Sequence, residues 1–201
     1  MPFVSSKGQK HAVKGLRDER KNDDTSIFER DIRKMELWDA YDSEMKVIEG
    51  MTLVRGEEAS IPAGVYHLVS HILVEHVDGT FLLMQRDPRK SYPNMWEATA
   101  GGSALKGETA EDCARRELRE ETGIVSDRLT ELRRFPWDPT RCVYVEYLCL
   151  TDCDKTCVKL QEGETIAYKW ATAEEICRMT PEELLSERMR KYIRSKHTDL
   201  E

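Results

Sequence analysis

Apolar and polar positions alternate in short runs over residues 35–86, the first part of the chain with a clear pattern. Residues 35–57 contain two such runs around a turn, and residues 66–86 contain two β-rich runs that are typical of a hairpin. Asp78 and Gly79 stand between the two runs of the hairpin, and both residue types are favoured in tight turns. The pattern therefore predicts paired strands in this part of the chain.

The pattern changes from strand to helix after a short predicted strand, residues 95–102, that runs into glycines. Residues 110–122 contain few β-branched residues and many good helix formers. Thr109 stands directly ahead of them, and Gly123 follows as a candidate C-cap. The sequence therefore predicts a helix that the chain enters from a glycine-containing loop.

The rest of the chain is predicted to form three more strands and two helices, at residues 132–137, 141–150, 165–170, 173–179 and 181–195. Pro181 suits the first turn of the last helix, where a backbone N–H is not needed. Residues 1–34, in contrast, are polar and mixed in charge, with no sustained apolar period. We therefore expect one domain over residues 35–201, preceded by a loosely ordered polar extension over residues 1–34.

The predicted helix directs carboxylates toward its own apolar side. At about 100° per residue, Glu117 and Glu121 project into the stripe of small and apolar residues, and Glu120 lies at its edge. Glutamates three or four residues apart repel one another as bare anions, and burial adds to the cost. A divalent cation removes both costs, and Mg²⁺ prefers hard oxygen ligands. The alternative is a solvent-exposed helix that simply carries many charges.

Length and charge narrow the classes of function. The chain has 201 residues, enough for one domain with its own core, and a formal net charge of −7. This charge argues against DNA binding and against a membrane-surface protein, since both partners are polyanionic. No apolar run approaches the ~20 residues of a membrane span, and no hydrophobic leader stands at the N-terminus. We expect a cytoplasmic protein whose six cysteines are free thiols.

One spacing of glycine, glutamate and arginine points to a known family. Gly102, five residues, Glu108, seven residues and then the run RELREETGI at 116–124 match every fixed position of the Nudix box, so the chain resembles the Nudix hydrolases. The resemblance covers residues 36–195 and implies an α/β fold in which a mixed β-sheet is sandwiched between helices. It also implies Mg²⁺-dependent hydrolysis, with Mn²⁺ as a substitute, of a diphosphate linkage in a nucleoside diphosphate derivative or similar small organic diphosphate.

The resemblance implies roles for residues in and beside the box. Glu117, Glu120 and Glu121 are implied to be metal ligands, and the backbone carbonyl of Gly101 is a further candidate. Arg116 is implied to hold the carboxylates in position. These residues form the metal site that we expect.

Other residues are expected to support the chemistry. Glu108 is implied to support the site from behind the ligands, and Gly102 and Gly123 are implied to permit the turns that bring loop to helix. Glu164 and Glu162, just before a predicted strand, are candidates for the general base that deprotonates the attacking water. The predicted catalytic set is therefore Glu120, Glu121, Arg116 and Glu164.

Residues outside the box resemble the branch of the superfamily related to isopentenyl-diphosphate isomerase. Arg86 and Lys90 are expected to contact substrate phosphates, as basic residues in this region do in those isomerases. Trp96 is expected to stack on the organic part of the substrate, although core packing is the commoner fate of such a side chain.

The same resemblance raises a rival function. The isomerase needs a cysteine and a metal-binding histidine just after this tryptophan, where Gly101 and Ser103 stand, while His67 matches another of its metal-binding histidines. Hydrolysis is therefore the main prediction, and an isomerase-like enzyme or a non-catalytic sensor of nucleotide diphosphates are the alternatives. The expected partners are a small-molecule diphosphate and, in a homodimer, a second copy of the chain.

Overall fold

The computed structural model describes residues 36–196, which form three helices and nine strands. The predicted extension, residues 1–34, lies outside the described residues. The helices are α1 (Ala110–Thr122), α2 (Ala173–Arg178) and α3 (Glu187–Lys196). The strands are β1 (Leu37–Tyr41), β2 (Val47–Val54), β3 (His67–His76), β4 (Phe81–Arg86), β5 (Trp96–Ala98), β6 (Ala100–Ser103), β7 (Leu129–Trp137), β8 (Cys142–Thr151) and β9 (Thr165–Ala171).

The first two strands form a small antiparallel sheet of their own. Leu37 of β1 lies opposite Val54 of β2. The sheet is tied to the main body where Tyr41 and Tyr66 exchange backbone hydrogen bonds of 2.8 and 2.9 Å. The predicted strands around a turn are confirmed.

Seven strands form the central sheet, in the order β5-β4-β3-β8-β7, with β6 paired to β3 and β9 paired to β4. The β3–β8 pairing is parallel and the other pairings are antiparallel. The sheet is therefore mixed, as predicted. Strands β3 and β4 form the predicted hairpin, and Gly79 in its turn has a φ of +86°, which glycine adopts without a Cβ clash.

Helices cover both faces of the central sheet. Leu118 of α1 packs in one apolar cluster with Ile72 of β3. Ile176 of α2 and Ile193 of α3 pack in a second cluster with Leu73, the next residue of the same strand. Because successive strand residues point to opposite faces, these contacts place one helix layer on each side of the sheet. The predicted α/β/α arrangement is confirmed.

The helix of the box begins and ends where the sequence predicts. Thr109 is the N-cap, and its hydroxyl oxygen accepts a hydrogen bond of 3.1 Å from the backbone N–H of Asp112. Gly123 is the C-cap in the left-handed conformation, with a φ of +73°, and its N–H donates to the carbonyl of Arg119. Both ends of α1 are thus defined by local residues.

The last helix begins later than the sequence predicts. We expected a helix over residues 181–195 with Pro181 in its first turn, but α3 begins at Glu187. The preceding segment instead runs beside β5: the N–H of Trp96 donates to the carbonyl of Glu183, and the N–H of Leu185 donates to the carbonyl of Trp96. A contact distant in the sequence therefore takes the backbone groups that a longer helix would use.

Two further predictions concern the cysteines, expected to be free thiols, and the membrane, for which no spanning segment is expected. All six cysteines are free, and Cys113, Cys142 and Cys149 are buried. Over residues 36–196, no helix is long and apolar enough to cross a membrane.

Candidate active site

Strand β6, which precedes α1, comes very close to this helix at Gly102. A Cβ added to Gly102 would lie 2.5 Å from the carboxyl carbon of Glu117, closer than real side chains approach. Gly102 does not have a positive φ, unlike Gly123. The prediction that Gly102 permits a backbone turn is therefore wrong, because this glycine instead leaves space for the Glu117 carboxylate.

Arg116 lies at the centre of a network of carboxylates. Its guanidinium donates to both oxygens of Glu108 at 2.7 and 2.9 Å, to Glu117 Oε1 at 2.6 Å and to Glu120 Oε2 at 3.3 Å. It also donates to the backbone carbonyl of Ser103 at 3.1 Å. The hydrogen bond to Glu108 makes the largest contribution to raising the pKa of Arg116, and the interaction with Glu117 adds to it. The arginine thus connects the box helix to the loop that precedes it.

Glu121 is in a different environment from its neighbour Glu120. Glu121 is only 8% exposed, whereas the side chain of Glu120 is 43% exposed. Among the residues that the structure describes, the Glu121 carboxylate has no hydrogen-bond or ion-pair partner. Burial, followed by the charge of Glu117, raises its pKa to about 8. Burial also raises the pKa of Glu117. The helix therefore carries a buried acid that no direct hydrogen bond or ion pair within the described residues stabilises, which is a costly arrangement.

The donor set of the box fits a hard divalent cation. Glu117, Glu120 and Glu121 offer only carboxylate oxygens, which Mg²⁺ prefers. Within residues 36–196, no three His, Cys, Asp or Glu side chains are already gathered as metal ligands, and Arg116 binds two of these carboxylates instead. Glu121 is the carboxylate that a cation would stabilise most, because burial opposes its charge and the charge of Lys90 offsets this effect only in part.

A cavity of about 560 Å³ opens beside this end of the helix. Glu121 and Gly101 lie on its wall together with Arg86 and Lys90, two residues that the sequence predicts to contact phosphate. This size falls in the range of roughly 300–1,000 Å³ that is usual for small-molecule sites. The cavity therefore brings box residues and predicted substrate contacts to one place.

Both predicted phosphate-binding cations are paired with carboxylates. Arg86 donates to Glu97 Oε2 at 2.6 Å and to the carbonyl of Ser91 at 2.8 Å. Lys90 forms a short ion pair with Glu164, the candidate base. Glu164 is thereby connected to the cavity through Lys90, and its charge contributes to the raised pKa of Glu121. Each of these two cations is thus paired with a carboxylate in the structure.

Trp96 and Glu162 lie outside the lining of the cavity. Trp96 packs against the apolar cluster of α2 and α3, and the ammonium of Lys169 lies 4.4 Å from its ring centroid. Glu162 is exposed. The structure therefore does not bring Trp96 to the box, because its indole takes part in the core on the α2 and α3 face.

Sequence reasoning missed three groups on the cavity wall, which are Glu97, His71 and Arg188. Burial raises the pKa of Glu97 despite the opposing effect of Arg86. His71 is the one exposed residue in the middle of the otherwise buried strand β3. A polar residue at a core-facing strand position was the available signal for His71. Arg188 lies in the last helix, and nothing local in the sequence connects it to the box.

Comparison with known proteins decides the family. The model of the NUDIX domain matches residues 65–195, which contain the box, the residues that line the cavity and the three helices except for Lys196. The chain belongs to the Nudix family. An uncharacterised Nudix hydrolase of Listeria monocytogenes is 33% identical over 143 residues, covering 71% of this chain and 83% of that protein. The human NAD-capped RNA hydrolase NUDT12 is 32% identical over 103 residues, covering 51% of this chain and 21% of that protein.

A solved structure supports the same Nudix fold. The crystal structure of DR0079 from Deinococcus radiodurans superposes with a TM-score of 0.62 and 22% identity, covering 80% of this chain and 98% of that one. The protein is thus a Nudix hydrolase, an enzyme that acts on phosphoanhydride bonds. Its Nudix box is the segment from Gly102 to Ile124, and the predicted family is confirmed at this level.

Proposed function

We propose that this Nudix hydrolase cleaves, with Mg²⁺, a diphosphate linkage in a nucleoside diphosphate derivative or similar small organic diphosphate. The observation that carries the proposal is the buried Glu121, which has no hydrogen-bond or ion-pair partner among the described residues and lies on the wall of a cavity that cationic residues also line. A protein retains such a carboxylate at a cost, and a bound cation offsets that cost. The NAD-capped RNA hydrolase among its relatives supports the nucleoside class.

Glu117, Glu120, Glu121 and the carbonyl of Gly101 would hold the metal. Mg²⁺, or Mn²⁺ in its place, supplies positive charge for the phosphate oxygens and acidifies a bound water. Arg116 positions the Glu117 and Glu120 carboxylates through bonds of 2.6 and 3.3 Å. Glu108 in turn holds Arg116 by two hydrogen bonds, so the carboxylates are positioned before substrate binds.

Arg86 and Lys90 bind the diphosphate from their positions on the wall of the same cavity. Their charges balance Glu97 and Glu164 in the free protein, and phosphate oxygens compete with those carboxylates for the same donors. We assign Glu164 as the general base that accepts a proton from the attacking water, because its neighbour Lys90 lines the cavity. Release of Glu164 from Lys90 by the substrate would free it for this role.

The branch related to isopentenyl-diphosphate isomerase stays a prediction of the sequence. Gly101 and Ser103 stand where the isomerase needs its cysteine and histidine. His67 is buried, stacks on Trp38 with ring centroids 4.1 Å apart, and is not part of the cavity lining. These observations favour hydrolysis over isomerisation. The homodimer and the cytoplasmic location likewise stay predictions.

The test compares two glutamates of the same helix. Glu121→Gln and Glu111→Gln are assayed with Mg²⁺ against nucleotide, nucleotide-sugar, dinucleotide and prenyl diphosphates, with the monophosphate products of hydrolysis and any isomerised product followed by mass. Glu111 is a matched control, because it is exposed and pairs with Arg115. We expect Glu121→Gln to lose at least about 100-fold in turnover and Glu111→Gln to keep it. Equal activity in both variants would refute the assignment.

A further inference from the structure

Aromatic rings extend from the box end of the cavity toward its far end. A Cβ added to Gly101 would lie 2.6 Å from His71 Cδ2, so the imidazole lies directly against this glycine. The ring of Tyr144 follows, with its centroid 5.0 Å from that of His71, and Phe135 lies 5.7 Å beyond Tyr144. These three rings, together with Trp137, form what we call the aromatic wall. His71, Tyr144 and Trp137 line the cavity, and Phe135 packs against Tyr144 without lining it.

Arg188 of α3 lies on the aromatic wall. Its guanidinium carbon is 4.6 Å from the ring centroid of Phe135, 5.1 Å from that of Trp137 and 5.4 Å from that of Tyr144. Contact with three rings fixes the position of the guanidinium plane. The side chain is 35% exposed, and it lines the same cavity as Glu121. A planar cation is thus held in place far along the chain from the Nudix box.

The hydrogen-bonding groups of Arg188 are free to bind a ligand. In the described part of the chain, Arg188 donates no hydrogen bond, and its nearest carboxylate is Glu146 at 3.8 Å. Arg86, the other arginine of the cavity, already donates to Glu97 and Ser91. Glu146 itself is bound by Arg133 at 2.6 and 3.1 Å. Arg188 therefore offers planar N–H donors that the protein does not use.

Trp137 gives this end of the cavity an open aromatic surface. It is the last residue of β7, a strand at the edge of the sheet, and it is 43% exposed. An indole that both lines a cavity and stays this exposed is available for stacking. Arg188 and Trp137 together therefore combine a flat apolar surface with hydrogen-bond donors.

We propose that the aromatic wall and Arg188 bind the heteroaromatic base of a nucleoside diphosphate, and that Arg188 and Trp137 determine specificity for it. The inference rests on the proposed function, which places the diphosphate at the box end of the cavity. Trp137 stacks on the base, and Arg188 donates to acceptor atoms on its edge, as arginine does to purine O6 and N7 atoms. Glu146 beside Arg188 opposes binding of a second phosphate there.

A prenyl chain fits this end of the cavity poorly. A hydrocarbon group would cover the Arg188 guanidinium and remove it from water without replacing its hydrogen bonds, which is unfavourable. A base with acceptor atoms replaces those bonds. The chemistry of the wall therefore favours nucleoside diphosphate derivatives within the broader class of organic diphosphates.

Binding measurements test the inference without requiring turnover. ADP, GDP, CDP and UDP are titrated with Mg²⁺ beside two diphosphates that lack an aromatic ring, inorganic pyrophosphate and isopentenyl diphosphate, by calorimetry and tryptophan fluorescence. The proteins are the wild type, Arg188→Met, Arg188→Lys and Trp137→Leu. Arg178→Met is the control, because Arg178 is an exposed arginine of α2 that pairs with Glu174.

We expect at least one nucleoside diphosphate to bind about 10-fold or more tightly than the ring-free ligands. Arg188→Met and Trp137→Leu should reduce that affinity about 10-fold or more and leave pyrophosphate unchanged. Arg188→Lys should lose most of the preference, since an ammonium lacks the planar donor edge. Trp137→Leu should also abolish part of the fluorescence change. Melting curves verify that each variant is folded.

Two outcomes distinguish this inference from the proposed function. If ring-free diphosphates bind as tightly as nucleotides, or if the variants weaken both ligand types equally, the base site is refuted. The proposed function survives that result when Glu121→Gln still abolishes hydrolysis of the ring-free substrates. Absence of binding and turnover for every diphosphate would overturn both.

Discussion

At the scale of single residues, the glutamates of the box differ in how deeply they are buried and in what lies next to them. Glu117 has a side chain that is only 13% exposed, and it fits there because Gly102 has no Cβ. Glu121 is buried without a partner, whereas Glu120 reaches solvent. A glutamate on a helix usually turns toward water, so the burial of Glu117 and Glu121 distinguishes them from ordinary surface charges. The environment of each carboxylate in the fold therefore determines whether it is buried or exposed to solvent.

Substitution of the two adjacent glycines should have different effects. In Gly102→Ala the new Cβ meets the flexible end of Glu117, which moves, so we expect stability to fall by less than about 1 kcal/mol. The displaced carboxylate should lower turnover about 10-fold or more and reduce the Mg²⁺-induced rise in Tm. Gly101→Ala meets the backbone carbonyl of Ser70 at 2.7 Å, which cannot move freely.

Urea unfolding and activity assays separate these cases. Gly101→Ala should lose stability by about 1–3 kcal/mol, the usual cost of overpacking, whereas Gly102→Ala should lose mainly activity. A Gly102→Ala variant with normal turnover and normal Mg²⁺ response would contradict the space-filling role that we assign to this glycine.

At the scale of elements, the two ends of α1 and the three pairings of β3 position the site. Strand β3 pairs with β8 along its whole length, with β6 over Val69–Ile72 and with β4 at Glu75. This arrangement puts Gly101 opposite His71. Helix α1 is capped by Thr109 and Gly123, and it brings the Glu117 carboxylate against Gly102 of β6. The geometry of the site therefore depends on the two ends of α1 and on the pairings of β3.

The C-cap of α1 should be sensitive to the residue at position 123. Gly123 has a φ of +73°, a conformation that costs alanine about 1 kcal/mol and asparagine less. Lys159 side-chain atoms, its Cβ among them, lie 3.3 Å from a Cβ placed there and must shift slightly. We therefore expect Gly123→Ala to lower the free energy of unfolding by about 1 kcal/mol, and Gly123→Asn by less. Equal stability of the wild type and both variants, measured in urea, would argue against this account.

At the scale of the whole molecule, the cavity is lined by residues that lie far apart in the sequence. Glu121 comes from α1, Trp137 and Tyr144 come from β7 and β8, and Arg188 comes from α3. The domain thus keeps ionisable groups inside a folded structure whose stability they reduce. This cost makes the stability of the metal-free protein depend on pH.

The contribution of Glu121 to the stability of the metal-free protein should decrease as the pH rises from 5 to 8. The folded-state pKa of Glu121, about 8, lies above its ordinary value of 4.5. Between these values the folded protein holds a proton that the unfolded chain releases, so stability is full below the lower value and is lost through the upper one. In EDTA, Glu121→Gln should gain roughly 1–3 kcal/mol relative to wild type between pH 5 and pH 8.

Urea unfolding at several pH values measures this difference. Glu111→Gln, the exposed control, should follow the wild type. Mg²⁺ should reverse the order of wild type and Glu121→Gln at pH 8, because it binds the ionised carboxylate. A wild type and Glu121→Gln with the same pH profile in EDTA would show that burial does not raise this pKa.

The sequence by itself determined the features that local patterns encode. The strands and the hairpin follow from alternation and turn residues, and α1 follows from helix formers with Thr109 and Gly123 at its ends. The Nudix box lies within 23 residues of the chain, so its spacing was visible without any tertiary contact. Family and fold class are therefore predictable, because short-range spacing carries them.

Only the tertiary structure decided the residues that meet from distant segments. Glu97, His71 and Arg188 line one cavity because of strand pairing and helix packing, which no local pattern reveals. The start of α3 shifted for the same reason, since Leu185 bonds to Trp96 across the fold. Burial also separated Glu121 from Glu120, two neighbours of identical chemistry. Local sequence encodes backbone conformation, whereas burial and charge pairing depend on the whole three-dimensional arrangement.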